Sequence, residues 1–286
     1  MAIIKTRAIV LRRRLFSETS LVAALLAREG GRFDVLAKGC RRPGSPLFGH
    51  LDLCQCEEVV ILERPQAGLD LLLEAGFADE HPGLRFFPPA FAAAGLLANL
   101  AAEAALPGEP QPGLFEVLSR AIPLLSGLGE PFRAARLSAS PPLSLPDKEI
   151  LLVRTLKLAL LDALGWLGFG LELGRCLACG RPPGPGEPAW LDPRRGGLVC
   201  RACRPGGGPG FARIGPEALA ALRSREAGAA RLELALPPAE RLRWLGFLLD
   251  YCQRVLEKPL KGREVLLQLL KVRDGRGFST SGPDKG

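Results

Sequence analysis

Short apolar runs separated by turn-forming residues dominate the first eighty residues of the chain. They cover residues 2–11, 19–27, 32–37, 56–63 and 69–77, and each has the length and apolar content of a β-strand. Glu-Gly-Gly at 29–31 favours a hairpin turn between the second and third runs, and residues 65–68 separate the fourth from the fifth. Five short strands in so few residues predict a small barrel, with the OB-fold as the leading candidate.

The apolar spacing becomes helical after His81-Pro82. Helices are predicted over residues 90–105, 114–126, 148–167, 216–223 and 242–256. Pro-Gly turns are expected at 107–108 and 112–113, a loop over 138–146, and an N-cap at Asp147. In the last helix an apolar stripe repeats at three- and four-residue steps, which indicates one buried face. The predicted fold class is α+β: an N-terminal OB-fold barrel followed by an α-helical domain that contains a cysteine-rich element.

Changes in composition divide the chain into five parts. We expect a barrel at 1–80, the first part of a helical domain at 81–172, a Gly/Pro-rich element with four cysteines at 173–210, the last helices at 211–273, and a Gly/Ser-rich, disordered tail at 274–286.

Four of the eight cysteines form two C-x-x-C pairs that are twenty residues apart: Cys176 with Cys179, and Cys200 with Cys203. This spacing is typical of zinc ribbons and knuckles, and four thiolates fill a tetrahedral site without leaving room for a reactive water. A redox C-x-x-C would be expected at a helix N-terminus, which is not the pattern here. The sequence therefore predicts one structural zinc ion, although a four-thiolate site can also hold iron. Of the other cysteines, Cys54, Cys56 and Cys252 are expected in the core.

Positive charge is concentrated at the two ends of the chain, which carries 38 Lys and Arg against 30 Asp and Glu. Residues 1–42 hold ten basic and three acidic side chains, residues 43–80 hold one and eight, and residues 171–286 hold twenty and twelve. This balance favours an acidic partner such as nucleic acid. Neither a secretory signal nor a long apolar span is recognisable, so we expect a cytoplasmic protein that is not bound to a membrane.

The segment KGCRRPGS at 38–45 is too rich in turn formers to continue a strand. We expect it to project Lys38, Arg41 and Arg42 from the barrel rim, where they could contact phosphates, and Arg12, Arg13 and Arg14 would add to the same patch. A solvated basic loop without a ligand explains this composition equally well. Because aromatic residues in the barrel are few and no base-reading motif is recognisable, we expect binding dominated by backbone charge and nearly independent of sequence.

Catalysis has few candidate residues. The chain has only two histidines, and it lacks a phosphate-binding P-loop motif. A binding protein is therefore favoured over an enzyme. The residues alone also allow an alternative, a zinc-ribbon scaffold or adaptor that binds nucleic acid in transcription or translation.

Several segments stand out in order along most of the chain: residues 5–11, 18–26, GRFDVLAKGCRRPGS at 31–45, TLKLALLDALGWLGFGLELGRCLACG at 155–180, GGLVCRAC at 196–203, and 248–270. Together they resemble the RecO family of bacterial DNA repair and recombination mediators. Residues 82–144 resemble the family only in their helical, alanine-rich character.

The resemblance implies an OB domain, a helical domain and a zinc element. It also implies binding of single- and double-stranded DNA, annealing of complementary strands, and loading of recombinase onto strands coated by single-strand-binding protein, together with RecR. Family contacts to DNA would map onto Arg32, Lys38, Arg41 and Arg42, and the helical region would bind the acidic C-terminal tail of single-strand-binding protein. Such a protein would be cytoplasmic and associated with the nucleoid.

Overall fold

A computed structural model describes residues 2–64, 68–129, 143–184, 186–204, 211–224 and 230–271. Its first part is a closed barrel of five strands: β1 (Ile3–Leu15), β2 (Leu21–Ala27), β3 (Gly31–Ala37), β4 (Cys56–Leu62) and β5 (Asp70–Asp79). The strand order is β1-β2-β3-β5-β4, and β3 and β5 are the one parallel pair among them. The predicted OB-fold barrel is thereby confirmed.

The apolar runs in β1 and β2 are continuous because both faces of these strands are buried. Val10 and Leu25 belong to the barrel interior, whereas Ile9, Leu11 and Leu26 belong to the core that the barrel shares with the helices. A strand that is covered on both sides needs no polar alternation. The barrel is therefore joined to the helical domain through the outer face of its first hairpin.

In the ranges that the structure describes, seven helices follow the barrel, after a short 3-10 helix at Pro82–Arg85. They are α1 (Pro88–Ala104), α2 (Pro112–Gly127), α3 (Leu145–Trp166), α4 (Pro216–Arg223), α5 (Ala230–Ala235), α6 (Pro238–Leu256) and α7 (Arg263–Lys271). Within the described parts of the chain, no helix combines the length and apolarity needed to cross a bilayer.

Two local predictions in the helical region were wrong. Pro112 and Gly113 form the first turn of α2 and not a separate turn, because proline is well tolerated at the first helical position. The N-cap of α3 is Ser144, whose side chain accepts a hydrogen bond from the backbone N–H of Asp147 at 3.3 Å. The predicted loop at 138–146 thus ends at Ser144, and its residues 138–142 lie outside the described residues, as does the tail at 274–286.

Helix α1 lies at the centre of the helical domain and contacts β1, β2, α2, α3, α6 and α7. Its alanines let these neighbours approach closely, and Ala93, Ala94 and Ala98 are fully buried. The β2–β3 hairpin comes close to the α1–α2 connection at Gly31, where φ is +72° and a Cβ would lie 2.0 Å from the carbonyl oxygen of Glu109. Only glycine fits this position.

The cysteine-rich element contains a small second sheet that the sequence analysis did not predict. Its strands are β6 (Glu172–Cys176), β7 (Ala189–Asp192), β8 (Gly197–Val199) and β9 (Ala212–Ile214), in the order β6-β8-β7-β9. Strands of three to five residues among many glycines and prolines carry too little periodicity to be recognised. This sheet places the two C-x-x-C pairs next to each other.

Candidate nucleic-acid interface and metal centre

The three consecutive arginines at the end of β1 are divided between two surfaces. Pairing with β2 shifts register between Val10 and Arg12, at a bulge. Beyond the bulge, Arg12 forms an ion pair with Glu103 of α1, while Arg13 and Arg14 are exposed at the open end of the barrel. Arg12 therefore lies where the barrel contacts α1, a region called the joint below.

Arg32 lies at the same joint. Its guanidinium donates to the carbonyl oxygens of Ala102 at 2.8 Å and Ala105 at 3.2 Å, and it forms an ion pair with Asp34 at 3.1 Å. A cation at the C-terminal end of a helix satisfies carbonyl groups that have no partner within the helix. Arg32 thus caps α1 from the barrel.

Glu103 completes this joint. Its carboxylate binds Arg12 and, at 3.1 Å, Lys258 from the segment after α6. Burial alone would raise the pKa of Glu103, but the hydrogen bonds from Arg12 and Lys258 outweigh burial and lower the pKa. The carboxylate therefore stays ionised and links the barrel, α1 and the end of α6.

The exposed arginines line a cleft of about 880 Å³ at the open end of the barrel. Arg13 and Arg14 enter it from β1, Arg41 from the loop after β3, and Arg85 from the 3-10 helix that follows the barrel. The acidic residues in its lining are Asp52 and Glu80. The cleft is thus predominantly basic and open to solvent.

Asp52 bridges two of these arginines. One carboxylate oxygen accepts from Arg13 at 2.5 Å and the other from Arg85 at 2.5 Å. A phosphate group presents a similar pair of oxygens to guanidinium groups. Asp52 therefore holds the guanidinium groups of Arg13 and Arg85 on either side of one carboxylate.

Backbone hydrogen bonds hold the basic loop against the β1–β2 turn. The N–H of Arg41 donates to the carbonyl oxygen of Thr19 at 3.0 Å, and its guanidinium donates to that of Glu18 at 2.9 Å. The side chains of Lys38 and Arg42 are exposed on the same loop but do not line the cleft. The loop is a fixed basic rim beside the cleft.

Aromatic rings form part of the same cleft. Phe77 packs against His50 with ring centroids 4.2 Å apart, and Phe48 lies shortly after the basic loop in the connection between β3 and β4. Phe48 is 56% exposed and Phe77 is 46% exposed, so both rings present apolar surface beside the arginines. Glu57 holds the imidazole of His50 in place. Its carboxylate lies 2.9 Å from the ring Nδ1 and is completely buried.

Six arginines and one lysine were predicted to bind DNA. Of these, Arg13, Arg14 and Arg41 meet in the cleft, with Lys38 and Arg42 at its rim. Arg12 and Arg32 lie at the joint. Sequence reasoning missed Arg85, because one arginine in a region of balanced charge gives no signal. Phe48 and Phe77 are two of the few aromatic residues in the barrel region, and no spacing in the sequence indicates that they share a cleft.

The four predicted metal ligands form the second candidate site. The sulfur atoms of Cys176, Cys179, Cys200 and Cys203 all lie within 4.8 Å of one another, and those of Cys179 and Cys200 are 3.9 Å apart. Tetrahedral zinc with bonds of about 2.3 Å places its sulfur ligands about 3.8 Å apart. Small shifts of the side chains would therefore complete a tetrahedron around one ion.

Turns at each pair aim backbone N–H groups at the sulfurs. Ala178 and Cys200 both donate to the sulfur of Cys176 at 3.4 Å, and Gly180 closes the first turn with φ of +72°. Burial would raise the pKa of Cys176, but these donors lower it to about 6. The neighbouring thiols of Cys200 and Cys179 raise the pKa of Cys203 to about 12. A divalent ion would favour the thiolate form of all four.

The remaining cysteines are buried. Burial raises the pKa of Cys54 and Cys252 to about 12 and that of Cys56 to about 11, so these thiols stay protonated. Their positions in the core agree with the sequence interpretation. Cys40, predicted in a basic loop, is also buried, with its pKa raised by burial.

Comparison with protein families matched two models. Residues 1–80 match the model described as "Recombination protein O N terminal", and residues 146–264 match the model described as "Recombination protein O C terminal". The first range contains the barrel and all residues of the basic cleft except Pro82 and Arg85. The second contains α3 to α6 and all four cysteines.

Curated relatives agree with these matches. The chain is 33% identical to the DNA repair protein RecO of Desulforudis audaxviator over 200 residues, which is 70% of each chain. It is 30% identical to the RecO of an Anaeromyxobacter species (strain K) over 241 residues, covering 83% of this chain and 86% of the relative. With the RecO of Desulfitobacterium hafniense (strain DCB-2), identity is 26% over 294 residues, covering 99% and 95%.

Proposed function

Because this chain belongs to the RecO family of DNA repair proteins, we propose that it is a non-catalytic recombination mediator that anneals complementary single strands. It would also help to load recombinase onto strands coated by single-strand-binding protein, together with RecR. The observation that carries this proposal is the basic cleft in the barrel, which offers four arginines to one strand. The family supports this role over that of a transcription or translation adaptor.

The physical basis of annealing is charge neutralisation. Two single strands repel each other through their phosphates, and a protein that binds one strand with Lys and Arg releases its counterions and lowers that repulsion. We propose that Arg13, Arg14, Arg41 and Arg85 hold phosphates in the cleft, with Lys38 and Arg42 extending the contact along the rim. A strand bound through its backbone keeps its base-pairing edges accessible to a complement.

The protein partners are proposed from the family. Residues 171–286 carry twenty basic side chains against twelve acidic ones, which would suit the acidic C-terminal tail of single-strand-binding protein. We propose that the cleft binds DNA while the C-terminal region engages this tail, and that RecR joins the complex. These roles would place the protein with chromosomal DNA in the cytoplasm.

The test of this function is annealing of complementary oligonucleotides with and without the cognate single-strand-binding protein. We expect annealing to be faster than in buffer, including on coated strands, and addition of RecR to allow recombinase loading. If the full-length protein accelerates neither naked nor coated strands, the proposal is wrong.

We also propose that the four cysteines bind one structural zinc ion. Four thiolates leave no open coordination position for a substrate or water, so the ion would stabilise the small sheet and not take part in a reaction. Metal identity can be measured by anomalous scattering, which separates zinc from iron.

Replacement of Cys200 by Ser tests the structural role. We expect metal content and thermal stability to fall together, because metal binding to such a site contributes directly to folding. Annealing should be lost only at temperatures where the variant unfolds. A Cys200→Ser protein that stays folded and metal-free yet cannot anneal would contradict this assignment.

A further inference from the structure

The cleft combines guanidinium groups with exposed aromatic rings, and we infer that it binds an unpaired base by stacking on Phe77 while the arginines hold the adjoining phosphates. This inference rests on the proposed DNA binding and adds a preference for single strands. A base within a duplex is already stacked on both faces, so a duplex can offer the cleft only its phosphates.

Phe77 is held in a fixed orientation. It lies directly across from Glu57 in the pairing of β4 with β5, and His50 packs against one face of its ring. The His50 ring is in turn fixed by the Glu57 carboxylate, which also accepts from the backbone N–H of Leu51 at 3.4 Å. A ring supported in this way loses little conformational freedom when a base stacks on it.

The polar half of the site lies beside the ring. Arg14 and Arg41 line the cleft together with Phe77 and Phe48. A volume of about 880 Å³ lies within the range of pockets that enclose organic ligands, about 300–1,000 Å³. Phosphate contacts beside aromatic stacking are the combination that proteins use for single-stranded nucleic acid.

The net charge of the cleft indicates which class of macromolecule would bind at its exposed aromatic rings. Four arginines against Asp52 and Glu80 give the cleft a positive field, which favours a polyanion over an apolar protein surface. Phe48, shortly after the basic loop, provides a second ring for a neighbouring base. Stacking depends little on base identity, so this site would bind strands without strong sequence preference.

The experiment measures binding of the full-length protein to three oligonucleotides of equal length: oligo-deoxythymidine, an abasic strand with the same phosphates, and a duplex. We expect oligo-deoxythymidine to bind about tenfold more tightly than the abasic strand, because each stacked base adds affinity that phosphates alone do not supply. Phe77→Leu keeps an apolar contact for His50 and should reduce oligo-deoxythymidine affinity towards the abasic level. Abasic binding and the salt dependence should stay unchanged.

Phe169→Leu is the matched control, since Phe169 is 42% exposed and lies outside the cleft. It should bind all three oligonucleotides like the unmodified protein, and Phe77→Tyr should restore the stacking advantage. Should Phe77→Leu fail to fold, Phe48→Leu, at an exposed loop position, tests the same cleft and is expected to lose part of the advantage.

The outcomes separate the two proposals. Absence of binding to any of the three oligonucleotides overturns DNA binding itself. Equal affinity for oligo-deoxythymidine and the abasic strand overturns only the stacking inference, as does a folded Phe77→Leu variant that loses RecR binding and keeps its DNA preference. In that last case the Phe77 ring would contact RecR and not DNA.

Discussion

Two groups of arginines come from β1 and from β3 with the loop that follows it, and they lie in different surroundings. Arg12 and Arg32 face the helices and bind Glu103 and the last carbonyl groups of α1. Arg13, Arg14 and Arg41 face the cleft at the open end of the barrel. The difference teaches that arginines close in sequence can differ in availability. Those at the joint are part-buried between two elements, whereas Arg13 and Arg41 in the cleft have solvent-exposed partners that a phosphate could replace.

The physical reason lies in local geometry. Successive side chains of a strand point to opposite faces, and a bulge changes which face each residue reaches. The bulge after Val10 directs Arg12 towards α1, and the following residues lie at the open end of the barrel. The path of the backbone, and not the residue type, therefore places the side chains of three consecutive arginines on two different surfaces.

The largest effect is expected at the joint. Arg32→Met removes two hydrogen bonds to α1 carbonyls and the pair with Asp34, and should lower the free energy of unfolding by about 2 kcal/mol. Arg14→Met, at an exposed position, should change it by less than about 0.5 kcal/mol. Urea unfolding of both variants measures the difference. Equal stability losses would abolish the distinction between joint and cleft.

The next effect is on DNA binding. Arg14→Ala combined with Arg41→Ala should weaken binding of a single strand about tenfold and reduce the salt slope by about 1.4, because two phosphate contacts are lost. Stability should fall by about 1 kcal/mol or less, because the variant loses the exposed hydrogen bond from Arg41 to the carbonyl oxygen of Glu18. The matched control is Arg120→Ala with Arg231→Ala, which removes the same charge from exposed positions on α2 and α5. A control pair that lowers the slope equally would show that net charge, not the cleft, determines affinity.

The smallest effect is expected at Asp52. Asp52→Asn removes the carboxylate that pairs with Arg13 and Arg85, and should tighten DNA binding about two- to fivefold, since exposed ion pairs contribute up to about 1 kcal/mol. The salt slope should become steeper as both arginines become free for phosphates. Weaker binding by this variant would mean that Asp52 positions the arginines and does not compete with DNA.

Much of the fold could be predicted because its signals are local. Apolar runs of strand length, separated by glycine turns, indicated the five-stranded barrel, and three- and four-residue spacing indicated the main helices. The four cysteines were recognised from two short motifs, since metal geometry constrains the spacing within each pair. The small second sheet was missed because its strands are too short to show periodicity.

The candidate cleft depended on contacts between distant segments. Arg85 enters it from beyond the barrel, and Phe77 joins it through the pairing of β5 with β4. Neither residue has a local pattern that marks its role. Arg32 shows the converse, since it lies in the segment that most resembles the family's barrel and yet caps a helix.

The sequence by itself thus determined the α+β class, the barrel, the basic ends of the chain and the cluster of four cysteines, because each depends on residue types within short segments. Only the tertiary structure decided which arginines remain available and which rings lie beside them. Strand pleating, one bulge and the packing of α1 against the barrel fix those positions, and these depend on contacts between residues that are far apart in the chain.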